Sequence, residues 1–381
     1  MKYFLIALLM ITIASCRKSA KIEFNGIAPG IKSGTFIIKT TRDSTVFGTN
    51  ITDGRFKVQG TLPKEGYYTM DIVNDADANS HGVHFEVYLE GGSYTIKTDA
   101  GKPYNYPEIT SVSAVQKDLS AYYAIADQQM GALNKEIAIL NAKMDSIKKA
   151  SPKNEMNSGD LGARLYDARE KQDGLRLTAL KDFVKQNPQS VISAHLMADM
   201  NYEDKPVEYY EVYKMFGAEA KATSDGKEIG ARLGNLVKLV PGAQSPDIIG
   251  KTPDGKTFDK SSVKKKVILL DFWRASDQIS RTDHQEMLTL LAGDMKAKNW
   301  FGIVSIDFDS KPDWWTTAIR DDHMTWTQVS DLKGDDSPNA TNWAISRIPT
   351  YYLVDGNWKI IERDITLAEV PGLADKYLKQ H

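Results

Sequence analysis

From Val267 to Phe272 the chain reads Val-Ile-Leu-Leu-Asp-Phe, an apolar run broken by one carboxylate, and then passes through Trp273 and a short polar turn into a helical pattern. A strand that is apolar on both sides has to be covered on both faces, which excludes a hairpin with one wet face. The segments that follow keep alternating. Strands are expected at Phe301–Asp307, Tyr351–Val354 and Trp358–Arg363, with helices around Trp314–Arg320 and Leu367–Lys379. This alternation implies a largely parallel sheet flanked by helices, an α/β domain opening at Pro241-Gly242. All seven tryptophans lie in it (Trp273, Trp300, Trp314, Trp315, Trp326, Trp343 and Trp358), where they serve a core or a groove.

A chain of 381 residues exceeds one ordinary core. From Lys21 to Tyr106 short alternating strands (Thr35–Thr40, Arg55–Gln59, Tyr67–Ile72) are punctuated by Gly, Asp and Asn. Phe85–Leu89 and Ser93–Lys97 flank Glu90-Gly91-Gly92 and read as a hairpin. The period then changes. Leu119, Tyr123, Ala126, Met130, Leu133, Ile137, Leu140, Met144 and Ile147 alternate four and three apart, a heptad seam on a long helix. Ser151-Pro152-Lys153-Asn154 ends it, and a second helix is expected at Leu161–Gln186, so the seam closes an intramolecular hairpin or a coiled-coil dimer. Further helices are expected at Val191–Met200, Val207–Phe216 and Glu228–Leu239. The expected organisation is a β-rich part over 17–110, a helical connector over 111–240 and the α/β part over 241–381.

Lys2 and the apolar run Phe4–Ile13 have the form of a signal peptide, too short for a stable bilayer span. The run ends Ile13-Ala14-Ser15-Cys16, resembling a bacterial lipobox, so residues 1–16 are expected to be processed and Cys16 to carry lipid that anchors the chain to a membrane. Cys16 is the only cysteine, and once acylated it leaves the mature chain no thiolate for exchange. The net charge of −2, with no basic stripe, gives no reason to expect nucleic acid as a partner.

In order along the chain, Gln244-Ser245-Pro246-Asp247, the turn Asp254-Gly255-Lys256, VILLDFW, IVSIDFDS, DWWTTAI, TWTQVSDLKG and RIPTYYLVD resemble the thioredoxin-like domain of the TlpA/ResA type, related to the AhpC/TSA group. GRFKVQG and FEVYLEGGSYTI resemble the β domain of unknown function that precedes such modules in Bacteroidota lipoproteins, and DFVKQNPQSVISAHLM fits their helical middle. The resemblance implies a multidomain protein: an all-β domain, a helical connector and an α/β thioredoxin-like fold. Because no acidic run follows Cys16, it also implies a periplasm-facing lipoprotein of the cell envelope, on the outer membrane. By resemblance the activity is thiol:disulfide interchange or of peroxidase type. Asp271 takes the place of a buried acid. Ile348-Pro349 takes that of a cis-proline loop whose preceding residue offers backbone hydrogen bonds to a partner peptide.

The two family cysteines fall on Asp277 and Ser280, and neither side chain can exchange with a disulfide. Asp or Ser at a helix start accepts free N–H groups, and Ser276 or Asp277 as N-cap accounts for both choices. A second reading combines Ser280, His284 and Asp277 as a hydrolytic trio, though no GxSxG elbow accompanies it. The expected function is therefore redox-inactive binding or scaffolding of a protein or peptide, in a groove framed by Trp273, Asp277, Ile348 and Pro349, with no cofactor. Gly250–Thr257 matches the P-loop pattern GxxxxGK[ST], but Pro253-Asp254-Gly255 reads as a turn and leaves no helix for phosphate, so no nucleotide is expected. The SxxK matches at Ser146 and Ser262 lack companion motifs. Six scattered histidines form no metal frame, and Asp307, Asp309 and Asp321-Asp322-His323 read as solvated loop residues.

Overall fold

The computed structural model describes residues 20–76, 83–150, 159–293 and 299–381. The lipobox at Cys16 and the helix break at 151–154 lie outside the described residues. Among the described residues no helix is long and apolar enough to cross a membrane. The chain forms two compact units, Met1–Met200 with Met215–Thr223, and Asn201–Lys214 with Ser224–His381. The division does not fall at residue 240, because two helices ahead of Pro241 belong to the second unit.

In the first unit, eight strands form one sheet: β1 (Ala20–Ile27), β2 (Ser33–Lys39), β3 (Thr45–Thr52), β4 (Arg55–Leu62), β5 (Gly66–Asn74), β6 (His84–Leu89), β7 (Gly92–Lys97) and β8 (Glu108–Thr110). Their order is β6-β5-β2-β3-β4-β1-β7-β8. Period-two alternation sends Phe24, Phe36, Phe47, Phe56 and Tyr94 into one core. In a flat sheet strands three places apart would be separated by roughly 14 Å. The rings of Phe24 on β1 and Phe36 on β2 are nonetheless 5.4 Å apart, so the sheet folds over its own apolar face. The bend falls between β3 and β4, which share only the pair Thr52–Arg55.

The hairpin expected at Glu90-Gly91-Gly92 is corrected by this sheet. Both strands exist, but β7 pairs in parallel with β1 and in antiparallel fashion with β8, while β6 is an edge strand on β5. Pairing with β1 sets Tyr94 beside its register partner Phe24, ring centroids 5.6 Å apart, and that shared burial outweighs the local turn signal.

The heptad seam lies on α1 (Ala114–Ala150), which packs against α2 (Gly159–Gln186). Gln129 bonds Asp182, Gln172 bonds Asn134 and Arg169 bonds Asn141, so the two helices run antiparallel. Leu133, Ile137 and Leu140 of the seam bury against Leu165 and Ala168 within the chain. The short helices α3 (Ile192–Ala198) and α5 (Ala218–Ala222) complete this unit.

The second unit begins with α4 (Pro206–Lys214) and α6 (Ser224–Leu236). Its sheet contains β9 (Val267–Trp273), β10 (Phe301–Asp307), β11 (Thr327–Ser330), β12 (Thr350–Asp355) and β13 (Ile360–Ile365), in the order β11-β10-β9-β12-β13. The helices α7 (Gln278–Ala292), α8 (Pro312–Asp321), α9 (Pro338–Asn342) and α10 (Val370–Gln380) connect and cover it. The pairs β9–β10 and β10–β11 are parallel, whereas β12 is antiparallel to both β9 and β13. The last strand starts later than expected because Trp358, at φ 62°, closes the turn whose amides at Asn357 and Lys359 bond the Asp355 carboxylate.

Every residue of β9 is buried. Ile268, Leu270 and Phe272 face a core with Trp343 and Tyr352, while Val267 and Leu269 face one with Met287 and Leu353. Asp271 and Trp273 share the second face, beneath α7. Ahead of the sheet, Arg232 of α6 forks onto Glu203 through two 2.8 Å bonds and donates to the carbonyl of Ala344, and Leu236 and Leu239 bury in the first core. These contacts are why residues 201–214 and 224–240 belong with the α/β sheet.

Candidate functional site

Strand β9 ends at Trp273, and the turn Arg274–Asp277 delivers the chain into α7. Asp277 is the N-cap, in an extended conformation, and one of its oxygens does two jobs. Oδ1 accepts the backbone N–H of Ser280 at 2.7 Å and the hydroxyl of Ser280 at 2.9 Å. Such a cap contributes about 1 kcal/mol to a helix. The two positions where the resemblance puts cysteines are therefore bonded to each other, and Ser280 is fully buried.

One turn further along α7, His284 is also fully buried. Its Nδ1 donates to Asp322 Oδ2 at 2.7 Å, and its Nε2 lies 3.5 Å from Asp271 Oδ2, an ion-pair contact rather than a well-formed hydrogen bond. Arg281 forks onto Asp322, with Nη2 to Oδ1 at 2.7 Å and Nε to Oδ2. Asp271 accepts the Ser305 hydroxyl at 2.6 Å, which in turn accepts the Trp326 indole N–H at 2.8 Å. Burial works against a charged His284, but the carboxylates of Asp271 and Asp322 outweigh it and raise its pKa above the ordinary value. Asp322 is likewise disfavoured by burial, and its bonds to Arg281 and His284 bring its pKa below the usual range.

The hydrolytic trio is not assembled. The ring nitrogens of His284 face two carboxylates, and Ser280 gives its hydroxyl to Asp277, so no base stands ready for Ser280. The groove residues are not brought together either. Trp273 is completely buried with Trp315, Ala318 and Met324, and its ring meets His284 edge-on at 4.6 Å. Alternation along β9 turns it inward under α8, so it frames no surface. Ile348 packs on the opposite face of the sheet, against the Phe272 and Trp343 core. Asp277, Ile348 and Pro349 remain partly exposed.

The Ile348–Pro349 bond is cis. Thr350, which follows it, pairs with Phe272, and Tyr351 pairs with Asp271. Among the described residues the backbone N–H and C=O of Ile348 make no hydrogen bond. Tyr351, a strand residue with no motif to mark it, donates to Asp283 Oδ2 at 2.6 Å. Burial, then the nearby Asp271 and Asp283 carboxylates, keep its phenol protonated.

The acidic residues expected in solvated loops need correction. Asp307, Asp309 and Asp322 are buried, while Asp321 and His323 are exposed. Asp307 accepts from Ser330 at 2.8 Å, and Asp309 accepts the Ala275 N–H at 2.8 Å, fixing the turn before α7. Burial and the adjacent Asp309 push the Asp307 carboxyl up to about 9. The P-loop-like stretch is a turn, with Thr252 N–H donating to the Lys256 carbonyl and Gly255 N–H to the Thr252 carbonyl, and only a short 3-10 turn, Lys260–Ser262, follows. Spacing offered one signal for the buried network. Ser280, His284 and Met287, four and three apart, are the inward face of α7.

No family model matches the chain, and no curated protein matches it. Similar solved structures include a thiol-disulfide oxidoreductase from Bacteroides fragilis, 26% identical over 35% of this chain and 98% of that one, with a TM-score of 0.33. The thioredoxin domain of a thiol-disulfide oxidoreductase from Bacteroides vulgatus is 27% identical over 36% of this chain and 98% of that one, with a TM-score of 0.33. A thioredoxin-like protein from Bacteroides caccae is 13% identical over 60% of this chain and 87% of that one, with a TM-score of 0.42. The α/β unit is thioredoxin-like by its own sheet order, the capped helix after the central strand and the cis-proline turn before β12.

His284→Gln is expected to destabilise the chain by roughly 3 kcal/mol, because it leaves the buried Asp271 without its cation and Asp322 with Arg281 alone. A histidine whose folded pKa is raised contributes fully below its unfolded value, near about pH 6.5, and loses that contribution as pH rises through the folded value. Urea unfolding between roughly pH 6 and pH 9 should therefore show the gap between variant and parent shrinking toward alkaline pH.

Proposed function

We propose that this chain is a lipid-anchored envelope protein whose thioredoxin-like unit works without thiol exchange and binds a protein or peptide partner. The carrying observation is the bond between Asp277 and Ser280: where exchange would need a thiolate at the helix N-terminus, a carboxylate and a buried hydroxyl satisfy each other. The unbonded backbone of Ile348 supports the binding part, since an extended peptide takes up such groups. Ile279, 60% exposed in the first turn of α7, supplies apolar surface next to Asp277. The lipid anchor rests on the lipobox at Cys16. The competing activity is thiol:disulfide interchange, as in the names of similar structures, and it would need a thiol from outside the mature chain.

The mature protein is expected to reduce insulin no faster than dithiothreitol alone, and turnover above that background would overturn the redox-inactive reading. In the native envelope, the N-terminal peptide should carry acyl chains on Cys16 by mass spectrometry; a free thiol there would remove the anchor. A photo-crosslinking residue at position 279 is expected to capture a discrete partner, with capture reduced by Pro349→Ala. Equal capture from a position on the far side of the unit would count against a specific surface.

A further inference from the structure

The β unit has a cleft that the thioredoxin-like reading does not use. It has a volume of about 640 Å³ and opens between the start of β6, the segment before β8 and one flank of α1, with Gln172 from α2. It deepens into a recess of about 150 Å³ that shares Tyr123, Asp127, Asn134 and Gln172 with it. This is the size of a small-ligand site.

Its lining is polar and ordered. Asp127, Asn134 and Asn141 are each seven residues apart on α1, so they form a stripe with about 10 Å between successive members. Asn134 accepts from Gln172 Nε2 at 2.8 Å and Asn141 from Arg169 Nη2 at 3.2 Å, which leaves both amide NH₂ groups for the cleft. Asp127 accepts the Tyr106 N–H through Oδ2 at 2.7 Å and keeps Oδ1. Beside this stripe the rings of Tyr106 and Tyr123 stack at 4.2 Å and 4°, both half-buried.

Spaced amide and carboxylate groups along one wall suit a ligand with many hydroxyls. An extended peptide would instead need a free sheet edge. Strand β6 is an edge, but the Tyr106 hydroxyl donates to the Glu86 carbonyl at 2.7 Å and Gln116 Oε1 accepts the Tyr88 N–H at 2.8 Å, which closes it. At the rim, Asp145 and Lys149 lie one turn apart, and Asp127 leaves the cleft with a carboxylate in excess, which disfavours an anionic ligand. We propose that this cleft binds a neutral oligosaccharide along the Asp127–Asn134–Asn141 stripe.

The test is calorimetric titration of the full mature chain with the hexasaccharides of α-1,4-glucose, β-1,4-glucose, β-1,4-xylose and β-1,4-N-acetylglucosamine. At least one should bind, and Asn134→Ala and Asn141→Ala should each weaken it about tenfold. Asn134 also ties α1 to α2, so if its variant fails to fold, Asn141→Ala, nearer the rim, decides. The proposal is overturned if no hexasaccharide binds, if Asn141→Ala leaves affinity unchanged, or if a hexa-alanine peptide binds more tightly and is the ligand lost in the variants.

Discussion

The thioredoxin-like unit is organised around one buried imidazole. His284 joins three elements that are distant in sequence: its own helix α7, Asp271 on the central strand, and Asp322 just past α8. A charge taken from water costs several kcal/mol unless it is paired, and pairing is tolerable only when geometry satisfies both partners. Here two carboxyl groups face two bases, His284 and Arg281, so the cluster can be neutral as a whole. Once it forms, α7 has little freedom to turn about its axis, and the position of Asp277 at its N-terminus follows.

That fixed position sets the field that Asp277 meets. A helix N-terminus favours negative charge, which is the setting that activates a thiolate. In this chain the same field is met by the Asp277 carboxylate, which also takes up a free backbone N–H and the Ser280 hydroxyl. The nearby turn is held independently, by Asp309 on the Ala275 N–H and by Arg274 on Asp335, so its shape does not depend on the chemistry at positions 277 and 280.

Much of this architecture was legible in the sequence because it rests on local periodicity. The run Val267–Phe272 announced a strand covered on both faces, the alternation of four and three announced α1, and Ser276-Asp277 announced a cap that falls on Asp277. What stayed hidden depends on contacts between distant residues. Glu90-Gly91-Gly92 has the composition of a hairpin, yet whether β7 pairs with β6 or β1 is decided by the burial of Tyr94 against Phe24. Trp273 looked like a groove residue until the twist of β9 and the placement of α8 turned it inward. Asp322 sits in a run, Asp321-Asp322-His323, whose polarity suggests solvent; only its distance to Arg281 and His284 separates it from its exposed neighbours.

The fork from Arg232 to Glu203, with Leu236 and Leu239 closing one core of the sheet, carries a practical consequence. A fragment cut at Pro241, where the α/β pattern opens, would uncover the Trp343 side of that core and strip the Ala344 carbonyl of its guanidinium donor. The compact unit therefore reaches back to residue 201, ahead of the first thioredoxin-like motif at Gln244, so the motif boundary and the packing boundary are different places on the chain.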